Sequence, residues 1–129
     1  MHITLKWLDE NESIILIDAQ KGWTWEEMFH TAMQARELVE SKSHTVDSVY
    51  NFNNTPVPLN TSLLAQMNHL TRKVPANSGK IYIVQAMAFG IKIVEIFVRI
   101  TPAWSDKIGI VKSLDDALAD IQKRKATVV

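Results

Sequence analysis

The residue types able to do chemistry in this chain are four histidines, two clusters of carboxylates, a basic run and a pair of tryptophans. His2, His30, His44 and His69 fall in neither a His-x-His nor a His-Glu-x-x-His arrangement, the spacings that bring two imidazoles to one zinc ion. Glu26 with His30 is an ordinary i, i+4 pair of a helix surface. The four glycines make neither a dinucleotide fingerprint nor a phosphate-binding loop, and no Gly-x-Ser-x-Gly elbow is present. With no cysteine there is no thiolate nucleophile, thiolate metal site or disulfide framework. Asp9, Glu10 and Glu12 read as a solvated turn, and Asp115 and Asp116 as the first turn of a helix, where the helix dipole favours anions. Lys123 to Lys125 sit where the same dipole favours cations. The expectation is a protein with no catalytic residue, no metal and no cofactor.

The tryptophans lie in "KGWTWEEMF", Lys21 to Phe29. An aromatic platform is one reading. The other is a helix start, with Thr24 as N-cap, Glu27 at N3 completing a capping box, and Trp23 and Met28 forming a hydrophobic staple. Trp25, Met28, Phe29, Ala32, Ala35 and Val39 continue one face at nearly the 3.6 period, which predicts a helix to about Ser41.

The elements that must position these groups follow from hydrophobic period. "HITLKWL" alternates, as an edge strand with one wet face does, whereas "SIILID" is apolar without a break, as in a strand covered on both faces. "TVDSVYNF", "KIYIVQA" and "KIGIVKS" read as further strands. "NNTPVPLN" is a loop, and "ANSG" a turn. Asn60 or Thr61 opens a second helix, with Leu63, Met67, Leu70 and Val74 on one face before Pro75. In "MAFGIKIVEIFVRITP" the charges Lys92, Glu95 and Arg99 share one helical stripe, so helix is preferred to strand. Those charges, with Gln85, also argue against a membrane span there. Ser113 caps the last helix. The order ββαβαβαβα predicts an α/β fold: a mostly parallel five-stranded sheet with an N-terminal antiparallel hairpin, right-handed crossovers and four helices.

At 129 residues the chain is expected to form a single domain burying about two-thirds of its unfolded surface. Acidic and basic residues balance at 14 each, so no net field steers it to nucleic acid or an anionic membrane. The beginning, "MHITLKWLDEN", has no apolar signal-peptide core, and a soluble cytoplasmic domain is expected.

"WTWEEMFHTAMQARELVES" followed by "VDSVYNF", the "LTRKVPANSGKIYIVQA" junction and the closing "IGIVKSLDDALADI" resemble the STAS domain, the fold of the bacterial anti-sigma factor antagonists, and in particular the stand-alone bacterial STAS-like proteins. The likeness spans nearly the whole chain. It implies a non-enzymatic regulatory module that docks a partner protein through the surface around the third strand and second helix. Some relatives are switched by phosphorylation in an Asp-Ser-Gly-like motif there. The matching stretch here, "NFNNTPVPLNTSLL", has no such motif, only the hydroxyls Thr55, Thr61 and Ser62. Asn53, Asn54, Thr55, Asn60, Thr61 and Ser62 are therefore candidates for partner docking without phosphorylation.

A second surface is expected on the helix Met87 to Ile100. At about 100° per residue its charges occupy an arc of roughly 60°, while a helix lying on a sheet needs an apolar stripe a little over about 100° wide. Ile93, Val94 and Phe97 fill that stripe. Phe89 and Ile96 on one flank, and Ile91 and Val98 on the other, are left for a neighbouring helix, a homodimer or an apolar ligand. The alternative function is accordingly a carrier of a small apolar ligand or lipid.

Overall fold

Successive side chains of the run Ile14 to Ile17 point to opposite faces of a strand, so a helix is needed on each side of it. The computed structural model describes residues 2–52, 75–84, 92, 95 and 107–127, and it supplies both. Strands β1 (Ile3–Trp7), β2 (Ile14–Ala19), β3 (Val46–Asn51), β4 (Ser78–Val84) and β5 (Ile108–Val111) form one sheet in the order β1-β2-β3-β4-β5. β1 runs antiparallel to β2 and the other pairs are parallel. Helix α1 (Trp25–Glu40) lies on one face, and α2 (Leu114–Thr127) is on the other. This is the mixed α/β fold expected, with its mostly parallel sheet and antiparallel hairpin. The two middle helices expected over 60–74 and 87–100 lie outside the described residues, except that Lys92 and Glu95 are helical and exposed.

Ile15, Ile17 and Ala19 pack with Ile3, Val46 and the α1 residues Trp25, Met28, Ala35 and Val39. Ile14 and Leu16 pack on the opposite side with Val49, Tyr82, Val84 and the α2 residues Ala117 and Ile121. The same strand thus serves two cores, split by its period of two.

Local chemistry sets the corners. Asp9 accepts hydrogen bonds from the backbone N–H of Ser13 (2.9 Å) and Ile14 (3.0 Å) and from the Ser13 hydroxyl, fixing the β1–β2 turn. Burial pushes the Asp9 carboxyl up, but those hydrogen bonds and the charge of Lys125 outweigh it and hold the group below its usual value. Thr24 is the N-cap of α1: its hydroxyl accepts from Glu27 N–H at 3.2 Å. The reciprocal half of the capping box does not form. Glu27 turns instead to His2, accepting from its backbone N–H at 3.0 Å and lying 3.0 Å from its Nδ1. The last turn of α1 has no basic residue. The Asn77 amide closes it by donating to the carbonyls of Val39 (2.7 Å), Lys42 (3.2 Å) and His44 (3.0 Å).

The turn expected at "ANSG" is shorter than its pattern suggests, because Ser78 and Gly79 already belong to β4. Val46 pairs with Ser78, yet Ser48 pairs with Ile81, so β4 carries one extra residue in a bulge. The Asp47 carboxylate accepts the Lys80 N–H at 2.8 Å there. A Cβ on Gly79 would overlap that carboxylate. Gly79→Ala is therefore expected to destabilise by about 1–3 kcal/mol, the usual range for overpacking, read as a lower urea midpoint. An unchanged midpoint would mean that the bulge accommodates a side chain.

Candidate functional site

In parallel α/β sheets, ligands and partners meet the carboxyl ends of the strands, where connections leave the sheet. Here the register lays one row of residues across that end: Thr4, Asp18, Asn51, Val84 and Val111, one from each strand in order. Residues opposite one another in register share a face. Val84 and Val111 belong to the apolar cluster under α2. Thr4, Asp18 and Asn51 make the other half of the row polar. Gln20 Nε2 donates to Asp18 Oδ2 at 2.8 Å, orienting the carboxylate. Thr4 is exposed and Asp18 half-buried, whereas Asn51 is buried.

An aromatic anchor lies at the same end. Trp23 and Trp25 are buried, at 2% and 7% exposure, with ring centroids 4.8 Å apart in an edge-on arrangement. Trp23 also stacks on Phe52, 5.3 Å away and tilted. The "WTW" motif is thus core and helix start together, and the platform reading fails because both indoles face inward. Gly22 makes the turn into α1 with φ 96°, and a Cβ there would come within 3.1 Å of the His2 ring.

The main cluster of ionisable groups among the described residues is elsewhere, between β3, β4 and α2. Tyr82, 1% exposed, donates its hydroxyl proton to Asp120 and accepts from Arg124 Nη1 at 3.0 Å. Arg124 Nη2 lies 3.4 Å from Asp47 Oδ1, and Lys80 Nζ lies 3.4 Å from Asp120 Oδ2. The Lys80 ammonium also sits 5.1 Å from the centre of the Tyr82 ring. Two cations face two carboxylates, so the cluster is neutral and attracts neither sign of ligand. Burial, reinforced by the hydrogen bond to Asp120, pushes the Tyr82 phenol up to about 12. At neutral pH it is a hydrogen-bond donor whose proton is already committed. The arrangement pins a helix to a sheet.

The sequence placed Arg124 at a helix end for its charge alone. The structure turns it inward, while Lys125 donates to Ser13 Oγ at 3.0 Å and Lys123 stays exposed. The docking candidates Asn53, Asn54, Thr55, Asn60, Thr61 and Ser62, and the flank residues Phe89, Ile91, Ile96 and Val98, lie outside the described residues. Asp18 escaped the sequence reading. Its signal is a single carboxylate ending the apolar run "SIILID". Among the described residues no three His, Asp or Glu side chains converge as a metal site would require, and no helix is long and apolar enough to cross a membrane. Comparison with known proteins gave no match: no family model fits the chain, and no curated protein or solved structure matches it.

Tyr50, the other of the chain's two tyrosines, is also pushed to about 12 by burial, against the opposing charge of Arg36. Both phenols are raised above the unfolded value of about 10. The stability they contribute is full below that value and is lost as pH rises from it toward 12. Absorbance at the phenolate band should therefore stay flat through about pH 10 in the folded protein and rise only with alkaline unfolding. A tyrosine titrating near 10 without unfolding would contradict the described packing.

Proposed function

We propose that this chain is a non-enzymatic regulatory interaction module of the STAS-like type, which docks a partner protein at the carboxyl end of its sheet through the stretch Asn53 to Ser62. The observation that carries the reading is the base of that stretch. Phe52, 6% exposed and stacked on Trp23, fixes the point from which the polar segment departs. The row Thr4, Asp18 and Asn51 lies at the same end of the sheet, on its other face. The resemblance in sequence motifs and the mostly parallel sheet with its N-terminal hairpin are further support.

Docking of this kind needs no chemistry, which accords with a neutral ionisable cluster whose groups are spent on one another. It also accords with the absence of an acidic-Ser-Gly motif around Thr55, Thr61 and Ser62. Affinity-tagged chain should capture one protein in fixed stoichiometry and without phosphate on those hydroxyls, as read by intact mass. Asn54→Arg with Thr61→Arg should lower capture by about tenfold or more, a change typical of central interface positions, and leave the circular dichroism spectrum unchanged. Capture that survives the double substitution would contradict the reading. A small apolar molecule in native mass spectrometry, in place of a partner, would favour the carrier function over docking.

A further inference from the structure

α2 is attached to the sheet differently from α1. α1 buries five apolar side chains, Trp25, Met28, Ala32, Ala35 and Val39, whereas the described side chains of α2 include only Ala117 and Ile121 at that depth. Burial of apolar area is the main term holding a helix to a sheet, so the apolar grip on α2 is the weaker one. The strand that leads into it, β5, has no fully buried residue. Only Lys112 and Ser113 connect the two.

Leu114 and Leu118 add partly buried apolar contact to the same cluster, and polar contacts supply a further part of the attachment. Asp120 meets Tyr82 and Lys80, Arg124 meets Tyr82 and Asp47, and Lys125 meets Ser13. Such contacts depend on charge. With its carboxylate neutralised, Asp120 no longer pairs with Lys80 and no longer supports Arg124 through Tyr82, although Arg124 keeps Asp47. Lys80 and Asp120 are 32% and 39% exposed, so water offsets part of that loss, and the remainder falls on the charge-assisted hydrogen bond to the buried Tyr82.

We propose that α2 is a latch: a helix held to the sheet by the Asp47, Lys80, Tyr82, Asp120 and Arg124 network, released as a unit when Asp120 loses its charge, while α1 and strands β1 to β4 stay folded. Release uncovers Leu16, Val49 and Val84, the apolar row that Ala117 and Ile121 cover.

The groups facing Asp120 set the direction of the switch. β3 contributes Asp47, and β4 contributes Lys80 and Tyr82. β5 turns Gly109 and Val111 toward α2, neither of which titrates. α2 itself carries Asp116, Lys123, Arg124 and Lys125 within about a turn, and the β1–β2 turn holds Asp9 beyond Ser13. The Tyr82 hydrogen bond is the main cause that holds the Asp120 carboxyl below its usual value; burial opposes it, and Lys80 and Arg124 assist. A carboxyl lowered in the folded state stabilises docking at neutral pH. That stabilisation is lost as pH falls below about 4 and through the lowered value.

Amide hydrogen exchange of the full chain tests this, with rates corrected for their intrinsic pH dependence. Between neutral pH and about pH 3, the protection of residues 115–127 should fall by about tenfold or more relative to α1, the scale of a lost charge-assisted hydrogen bond. Asp120→Asn should show the same selective loss at neutral pH and little further change in acid. Tyr82→Phe, which keeps the ring, should lie between the two. Equal loss of protection in α1 and α2, in acid or in either variant, would overturn the latch, because the helix would then leave only with the whole fold. Undiminished protection of α2 would overturn it as well.

Discussion

Everything in this fold is arranged around a strand that water must not reach from either side. Ile14 to Ile17 place two side chains on each face of β2, and a strand of this kind is stable only as a member of a sheet with cover above and below. That requirement puts α1 and α2 on opposite faces. It also explains why β1 can be so different in character. As an edge strand it packs Ile3, Leu5 and Trp7 toward α1 and leaves Thr4 and Lys6 exposed, and the charged Lys6 suits an edge.

The carboxylates divide by task. Asp9 organises a turn, Asp47 fills a bulge and meets Arg124, and Asp120 fastens a helix. Each is close to donors that use its lone pairs, which is how a charged group becomes tolerable away from bulk water. Asp18 lies at the carboxyl end, in a row with Thr4 and Asn51, and accepts from Gln20 Nε2.

The strands and α1 were legible in the sequence because their signals are local: a period of two, a period near 3.6, and a threonine three residues before a glutamate. The Thr24 cap formed for that reason. What escaped was decided by residues far apart in the chain. Glu27 abandons the capping box for His2, 25 residues earlier. Arg124 serves Asp47, 77 residues away, and not only the helix dipole. Ser78 and Gly79 look like a turn because Gly and Ser favour one, yet Asp47 draws them into β4 across a bulge. The polar row at the carboxyl end was invisible for the same reason, since Thr4, Asp18 and Asn51 become neighbours only through strand register.

The proposed docking would make the carboxyl end of the sheet the working surface, and the lysines of the chain can report on it. Lys21 follows Gln20 past the end of β2 and Lys112 follows β5, so both mark the carboxyl end, and both are exposed. Lys107 precedes β5 at the opposite end, where exposed Lys123 neighbours the Lys125 contact with Ser13. Acetylation footprinting of the complex with its captured partner compares the two ends directly. Docking at the carboxyl end predicts that Lys21 and Lys112 are protected while Lys107 and Lys123 react as in the free chain; protection of Lys107 and Lys123 with Lys21 and Lys112 unchanged would contradict it.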